Sequence, residues 1–181
     1  MQIHFIKQFP WGEPSHFVEK IWAGFALNDF LWYNRNGCWS TESYKEQWPY
    51  GDDADGTSSW WRPFIKAKPK ITTIRADVKN RWKPGKPVHF MQWTGAPYRS
   101  KCYHFAPVIP CVSTQVIEIE YINSKPVVVI DHEHFYNPLV GIDKGILKLA
   151  VNDGFDTVDD FFRWFNQDFT GKMIHWTDLK Y

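Results

Sequence analysis

Between Arg62 and Lys86 the chain carries nine basic residues, Arg62, Lys66, Lys68, Lys70, Arg75, Lys79, Arg81, Lys83 and Lys86, against one acid, Asp77. The local net charge is +8, although the 181 residues together sum to +1. Trp60, Trp61 and Trp82 lie in or beside this segment. Cations meet phosphate oxygens and flat rings stack on unpaired bases, so the combination has the chemistry of a contact with single-stranded nucleic acid or a nucleotide. Arg62, Arg75, Lys79, Arg81, Trp82 and Lys83 are the candidate contacts. A solvated lysine-rich loop, balanced by the acids of 42–56 and 153–168, has the same composition without any ligand.

Metal chemistry is weakly signalled. His132-Glu133-His134 would place two imidazoles on one face of a strand, with no third ligand near in sequence. Cys102-x-His104 with Cys111 would need its donors to converge from separate elements. Asp52, Asp53 and Asp55 lack the order and the terminal glutamate of a calcium loop. No metal site and no cofactor are expected. There is no Walker glycine loop, no G-x-S-x-G elbow and no G-x-G-x-x-G.

These residues need elements to hold them. The length fits one domain, residues 1–181, able to bury a core without disulfides or metal. Aromatic residues make up 18% of the chain, which argues against disorder for most of it. Gln2 to Lys7 reads as a strand. Ser15 is an expected N-cap for a helix carrying Phe17, Val18, Ile21, Trp22 and Phe25, which Gly24 would end or stop a turn short. Residues 26–66 sustain no period and hold five of the 11 tryptophans. They read as a Trp-rich insertion. Strands follow at Ile71–Arg75, Val88–Gln92, Cys111–Tyr121 and Val127–His132. In the third of these, Val116, Glu118 and Glu120 face one way and Ile117, Ile119 and Tyr121 the other. A helix runs from near Asp143 to Asp153-Gly154, and a second starts at Thr157 with Asp160 completing an imperfect capping box. Lys172–Trp176 closes the chain as a strand. The fold class is α+β, a small mixed β-barrel with flanking helices.

Three cysteines, an odd number without a C-x-x-C pair, argue against a disulfide framework and fit a reducing compartment. The N-terminus lacks the pattern of a signal peptide and no apolar run is long enough to span a membrane. A cytoplasmic protein without membrane contact is expected.

Lys70-x-x-Thr73-x-Arg75, after a helix ending in Ala23-Gly24, resembles the ASCH domain of the PUA-like superfamily. Phe17 to Gly24 looks like the family's first helix. Arg75-Ala76-Asp77 with Trp82-Lys83-Pro84-Gly85 looks like its strand and small glycine loop. Leu149 to Phe155 followed by Phe161 to Trp164 looks like its late helix pair, and Ile174-His175-Trp176 like its closing strand. The resemblance covers about two thirds of the chain. Residues 26–66 and 93–106 depart from it. It implies a PUA-like β-barrel that binds RNA or a modified nucleoside in a cleft beside the K-x-x-T-x-R strand. Some members are similar to small amidohydrolases that deacylate N4-acetylcytidine, and the matching catalytic positions here are Lys70, Thr73 and Asp153. The last stands where active members have glutamate. A carboxylate one methylene short falls about 1 Å away, enough to cost around 10²-fold in rate.

The residues make sense of such a reaction on their own terms. Amide cleavage needs a nucleophile, a base and a proton donor for the leaving amine. Thr73 offers a hydroxyl, Lys70 a base if burial or Arg75 depresses its pKa, and Asp153 a proton shuttle or an orienting partner. Thr73 and Arg75 share a strand face, so Lys70 must reach round from the strand's start. The rival to both readings is a protein-interaction module that uses the Trp-rich insertion as its contact surface.

Overall fold

The computed structural model describes residues 1–27 and 67–181, and the chain divides into two compact units. The 26–66 insertion and its tryptophans, Arg62 and the Asp52–Asp55 run therefore lie, but for its first two residues, outside the described residues. Among those described, the architecture is mixed α+β, mostly sheet, with three helices.

The first unit takes in Met1–Lys70 and Pro87–Ile109. Its sheet holds β1 (Gln2–Phe5), β3 (Pro87–Trp93) and β4 (Cys102–His104), in that order, with the short β5 (Ile109–Pro110) also pairing with β3. β1 runs parallel to β3, Ile3 facing Phe90, and β4 runs antiparallel to β3, His104 facing Met91. Alternation sends Ile3, Phe5, Val88 and Phe90 to the buried face. Helix α1 (Phe17–Leu27) presents Phe17, Val18, Ile21, Trp22 and Phe25 at the spacing of one helical face, and all five are buried. The Phe25 ring meets Phe90 edge-on at 5.6 Å, and Phe105 meets Phe5 at 5.9 Å. Trp22 Nε1 donates to the Phe105 carbonyl at 3.2 Å.

Two expectations for this helix are corrected. The Ser15 hydroxyl donates to the Ile6 carbonyl at 2.5 Å, fully buried, and His16 at φ 52° turns the chain into the helix instead. Gly24 does not end the helix, which continues to Leu27 because the buried face persists through Phe25.

The second unit takes in Ile71–Lys86 and Pro110–Tyr181. Its sheet has the order β2-β10-β6-β7-β8-β9, with β2 at Thr72–Arg75, β6 at Ser113–Ile122, β7 at Lys125–Ile130, β8 at Glu133–Asn137, β9 at Ile142–Asp143 and β10 at Phe169–His175. Every pairing in it is antiparallel. Gln115, Ile117 and Ile119 are buried, while Val116, Glu118 and Glu120 look outward, as the alternation predicts. Asn123-Ser124 and Asp131-His132 make the hairpin turns on either side of β7, all four at positive φ, which suits the right-handed twist of the strands. Gly171 on β10 has no room for a side chain: a Cβ there would lie 2.6 Å from the Arg75 carbonyl oxygen.

Helix α2 (Ile146–Asn152) stops as the sequence predicts, at Asp153-Gly154. Gly154 at φ 96° lets its N–H reach the Val151 carbonyl and the Phe155 N–H reach Ala150, at 2.8 and 2.9 Å. Helix α3 (Val158–Trp164) starts with Thr157 accepting the Asp160 N–H at 3.0 Å. The Asp160 carboxylate meets the Thr157 hydroxyl, not its amide, so the capping box is indeed incomplete.

Both sheets are open along their pairing order, so among the described residues neither closes into the expected barrel. No described helix is long and apolar enough to cross a membrane.

Candidate functional site

The part of the basic segment that follows Arg75 becomes a structured loop between β2 and β3. Its organiser is Asp77, the one acid in the segment. The Asp77 carboxylate accepts the Arg81 N–H at 2.7 Å and the Trp82 N–H at 3.0 Å, and its side chain is only 2% exposed. From β10, the Lys172 ammonium comes within 3.6 Å of it and donates to the Trp82 carbonyl at 3.1 Å and to Asn80 Oδ1. Burial alone would raise the Asp77 carboxyl. The Arg81 and Trp82 amides, with Lys172, outweigh it and hold the group below the usual carboxylate range.

The clamp sends the cations outward. Lys79, Arg81, Lys83 and Lys86 are all exposed. Trp82 is not: at 4% exposure its ring belongs to the interior and cannot act as a stacking platform for a base. The expected contact at Trp82 is corrected accordingly. Its role is to root the loop between two exposed cations, Arg81 and Lys83.

The strand that leads into this loop carries Thr73, buried, and Arg75, half-buried. Among the described residues β2 is the sheet's edge, and one of its N–H groups, with that of the residue before it, meets the end of α2. The Ile71 N–H donates to the Asn152 carbonyl at 3.0 Å, and the Ile74 N–H donates to Asp153 Oδ1 at 3.0 Å. Asp153 is 4% exposed. Its carboxylate thus sits along the strand that bears Thr73, with one oxygen already engaged in holding the backbone. Asn152 beside it donates to the Tyr181 hydroxyl at 2.7 Å. Burial pushes the Tyr181 phenol far above its ordinary value, and the Asp153 charge adds to this while the Asn152 bond opposes it.

Lys70 belongs to the first unit, where its N–H donates to the Lys20 carbonyl at 2.8 Å. It is 1% exposed, and its Nζ lies 5.2 Å from the Phe17 ring centroid and 5.9 Å from that of Phe5.

The weaker metal candidates dissolve. His132 sits in the hairpin turn at φ 70° while His134 lies on β8, so the two do not share a strand face. Cys102 and His104 do share a face of β4, but Cys111 is a buried thiol of the second unit, in contact with the Ser113 carbonyl at 3.4 Å. Among the described residues no group of three or more His, Cys, Asp or Glu is placed to hold a metal ion.

Sequence reasoning missed the organising role of Asp77. The signal was present: an aspartate four residues before Arg81, in a stretch without a period, is the pattern of a side chain that caps backbone amides. It also missed the outer face of the first unit's sheet, where His4, His89, Met91, Trp93 and His104 gather by alternation. Comparisons with protein-family models, curated proteins and solved structures find no match to this chain.

Proposed function

We propose that the protein binds RNA or a nucleotide-like ligand through the clamped basic loop of Asp77–Lys86, as an ASCH-like domain on a PUA-like β-barrel plan. The observation that carries the reading is the loop's order: one covered carboxylate and Lys172 fix the backbone that presents four exposed cations. A loop backbone that is already ordered has less freedom to lose on meeting a phosphate, which favours affinity. A ligand on this loop would meet Lys79, Arg81, Lys83 and Lys86 first, with Arg75 at the strand behind. A cytoplasmic setting and a protein partner at the Trp-rich insertion complete the proposal.

A titration of a short single-stranded RNA against wild type and Lys79→Glu/Arg81→Glu, at several salt concentrations, tests this. Wild type should lose affinity linearly in log salt, and the double variant should bind more weakly with a slope reduced by about 1 per lost phosphate contact. Binding without salt dependence, or unchanged by the reversals, refutes it.

The Asp153 carboxylate on the backbone of the strand that bears Thr73, both residues buried, favours a second reading. The reading is hydrolysis of an N4-acylated cytidine or a similar amide, with Lys70 as base and Thr73 as nucleophile. Incubating wild type and Lys70→Ala with N4-acetylcytidine decides it: turnover by wild type and its loss in the variant are expected, and equal turnover by both refutes it.

A further inference from the structure

The outer face of the first unit's sheet holds a set of donors that the basic loop does not use. Alternation along β3 puts His89 and Met91 on this face, and β4 places His104 directly opposite Met91. The His89 and His104 rings stand 5.7 Å apart between centroids, tilted by 43°. Two imidazoles bound to one ion through nitrogen bonds of about 2.0–2.1 Å have their centroids roughly 5 to 6 Å apart, so the spacing suits a shared ion. His104 Nε2 is buried and has no hydrogen-bond partner. All three side chains are half-exposed, which leaves a path for an ion. His4 faces Met91 from the other side but stacks on Trp93 at 4.9 Å, and Cys102 faces Trp93, one pair further along.

We propose that His89, Met91 and His104 form a binding site for a soft monovalent metal ion, Cu(I). Two imidazoles and a thioether are a soft, low-charge donor set, which favours Cu(I) over Zn(II) and over hard oxygen-seeking cations. The site needs no third histidine, cysteine or carboxylate, because the third donor is a methionine.

The test is an anaerobic competition between the full chain and bicinchoninate for Cu(I) added as its acetonitrile complex, performed in a Cys102→Ser background. One equivalent should be retained. His104→Ala and Met91→Leu should each weaken retention by about tenfold or more, the scale on which even outer-shell changes act. Met91→Leu keeps size and apolarity, so a thermal melt like that of the parent separates ligand loss from misfolding. X-ray absorption of the loaded protein should show both nitrogen and sulfur neighbours, the sulfur disappearing in Met91→Leu. Failure to retain Cu(I), or retention undiminished by either substitution, overturns the proposal.

Discussion

Acid should destabilise the second unit through His175. The ring is fully buried on β10, and neither nitrogen has a hydrogen-bond partner. Burial depresses its pKa from 6.5 to about 4, with Asp131 pulling it up and Lys180 pushing it down. The group is therefore neutral when folded and protonated more readily when unfolded. Its contribution is present in full above pH 6.5 and is lost as pH falls through 4. A difference of about 2.5 pKa units at about 1.4 kcal/mol each gives a loss on the order of 3 kcal/mol across that window, most of it by pH 4.5. Domains are stable by only about 5–15 kcal/mol, so the effect is large. The comparison is wild type against His175→Phe in urea melts from pH 7.5 to 4. The apolar ring removes two unpartnered nitrogens, so at pH 7 the variant should stay within about 1 kcal/mol of wild type, and its pH slope should be flatter by about 3 kcal/mol. The His175 ring proton, followed by NMR, should not titrate above pH 5. Identical pH profiles for the two proteins, or a ring that titrates near 6.5, would refute the reasoning.

Two further outcomes follow from the fold. Asp77→Ala removes the acceptor of two backbone amides and should destabilise by about 2–4 kcal/mol, seen as a lower urea midpoint, with faster amide exchange at Arg81 and Trp82. Because Asp77 titrates below its ordinary value, this contribution should fade only as pH drops below about 4, a window separate from that of His175. Gly171→Ala forces β10 and β2 apart at the Arg75 carbonyl and should lower stability by about 1–3 kcal/mol in the same melts. A melting curve like that of wild type would mean that the edge strand yields without strain.

What could be read in advance is what local chemistry dictates. The outward run of Val116, Glu118 and Glu120 is visible because one face of β6 is buried and the other is not. Thr157 and Gly154 mark helix ends because a hydroxyl and a left-handed glycine satisfy particular orphan groups. What could not be read depends on partners far away in sequence. β4, β8 and β9 have three, five and two residues, too few to display a period. The turn at Asp131-His132 lacks glycine, so His132 passed for a strand residue. Ser15 looked like a cap, but its hydroxyl found the Ile6 carbonyl. Trp82 shows the limit most clearly. A tryptophan among cations has the composition of a stacking platform, and only the fold reveals that its ring is buried.

That burial sharpens the choice between a solvated loop and a binding loop. A lysine-rich loop that merely keeps the protein soluble has no need of order, and fixing each backbone residue costs about 1–2 kcal/mol. The loop of Asp77–Lys86 is fixed at three levels: a covered carboxylate on two amides, an ammonium from β10 on the Trp82 carbonyl, and the Trp82 ring itself. None of these anchors uses the ammonium of Lys79, Lys83 or Lys86. Arg81 Nε lies 3.9 Å from Asp77 Oδ1 while its side chain remains 61% exposed, a geometry that contributes little by itself. The anchoring groups are thus separate from the presented ones. Substituting the exposed cations should therefore change ligand affinity without changing stability, whereas substituting Asp77 should change both. A solvated loop predicts no effect on affinity from either.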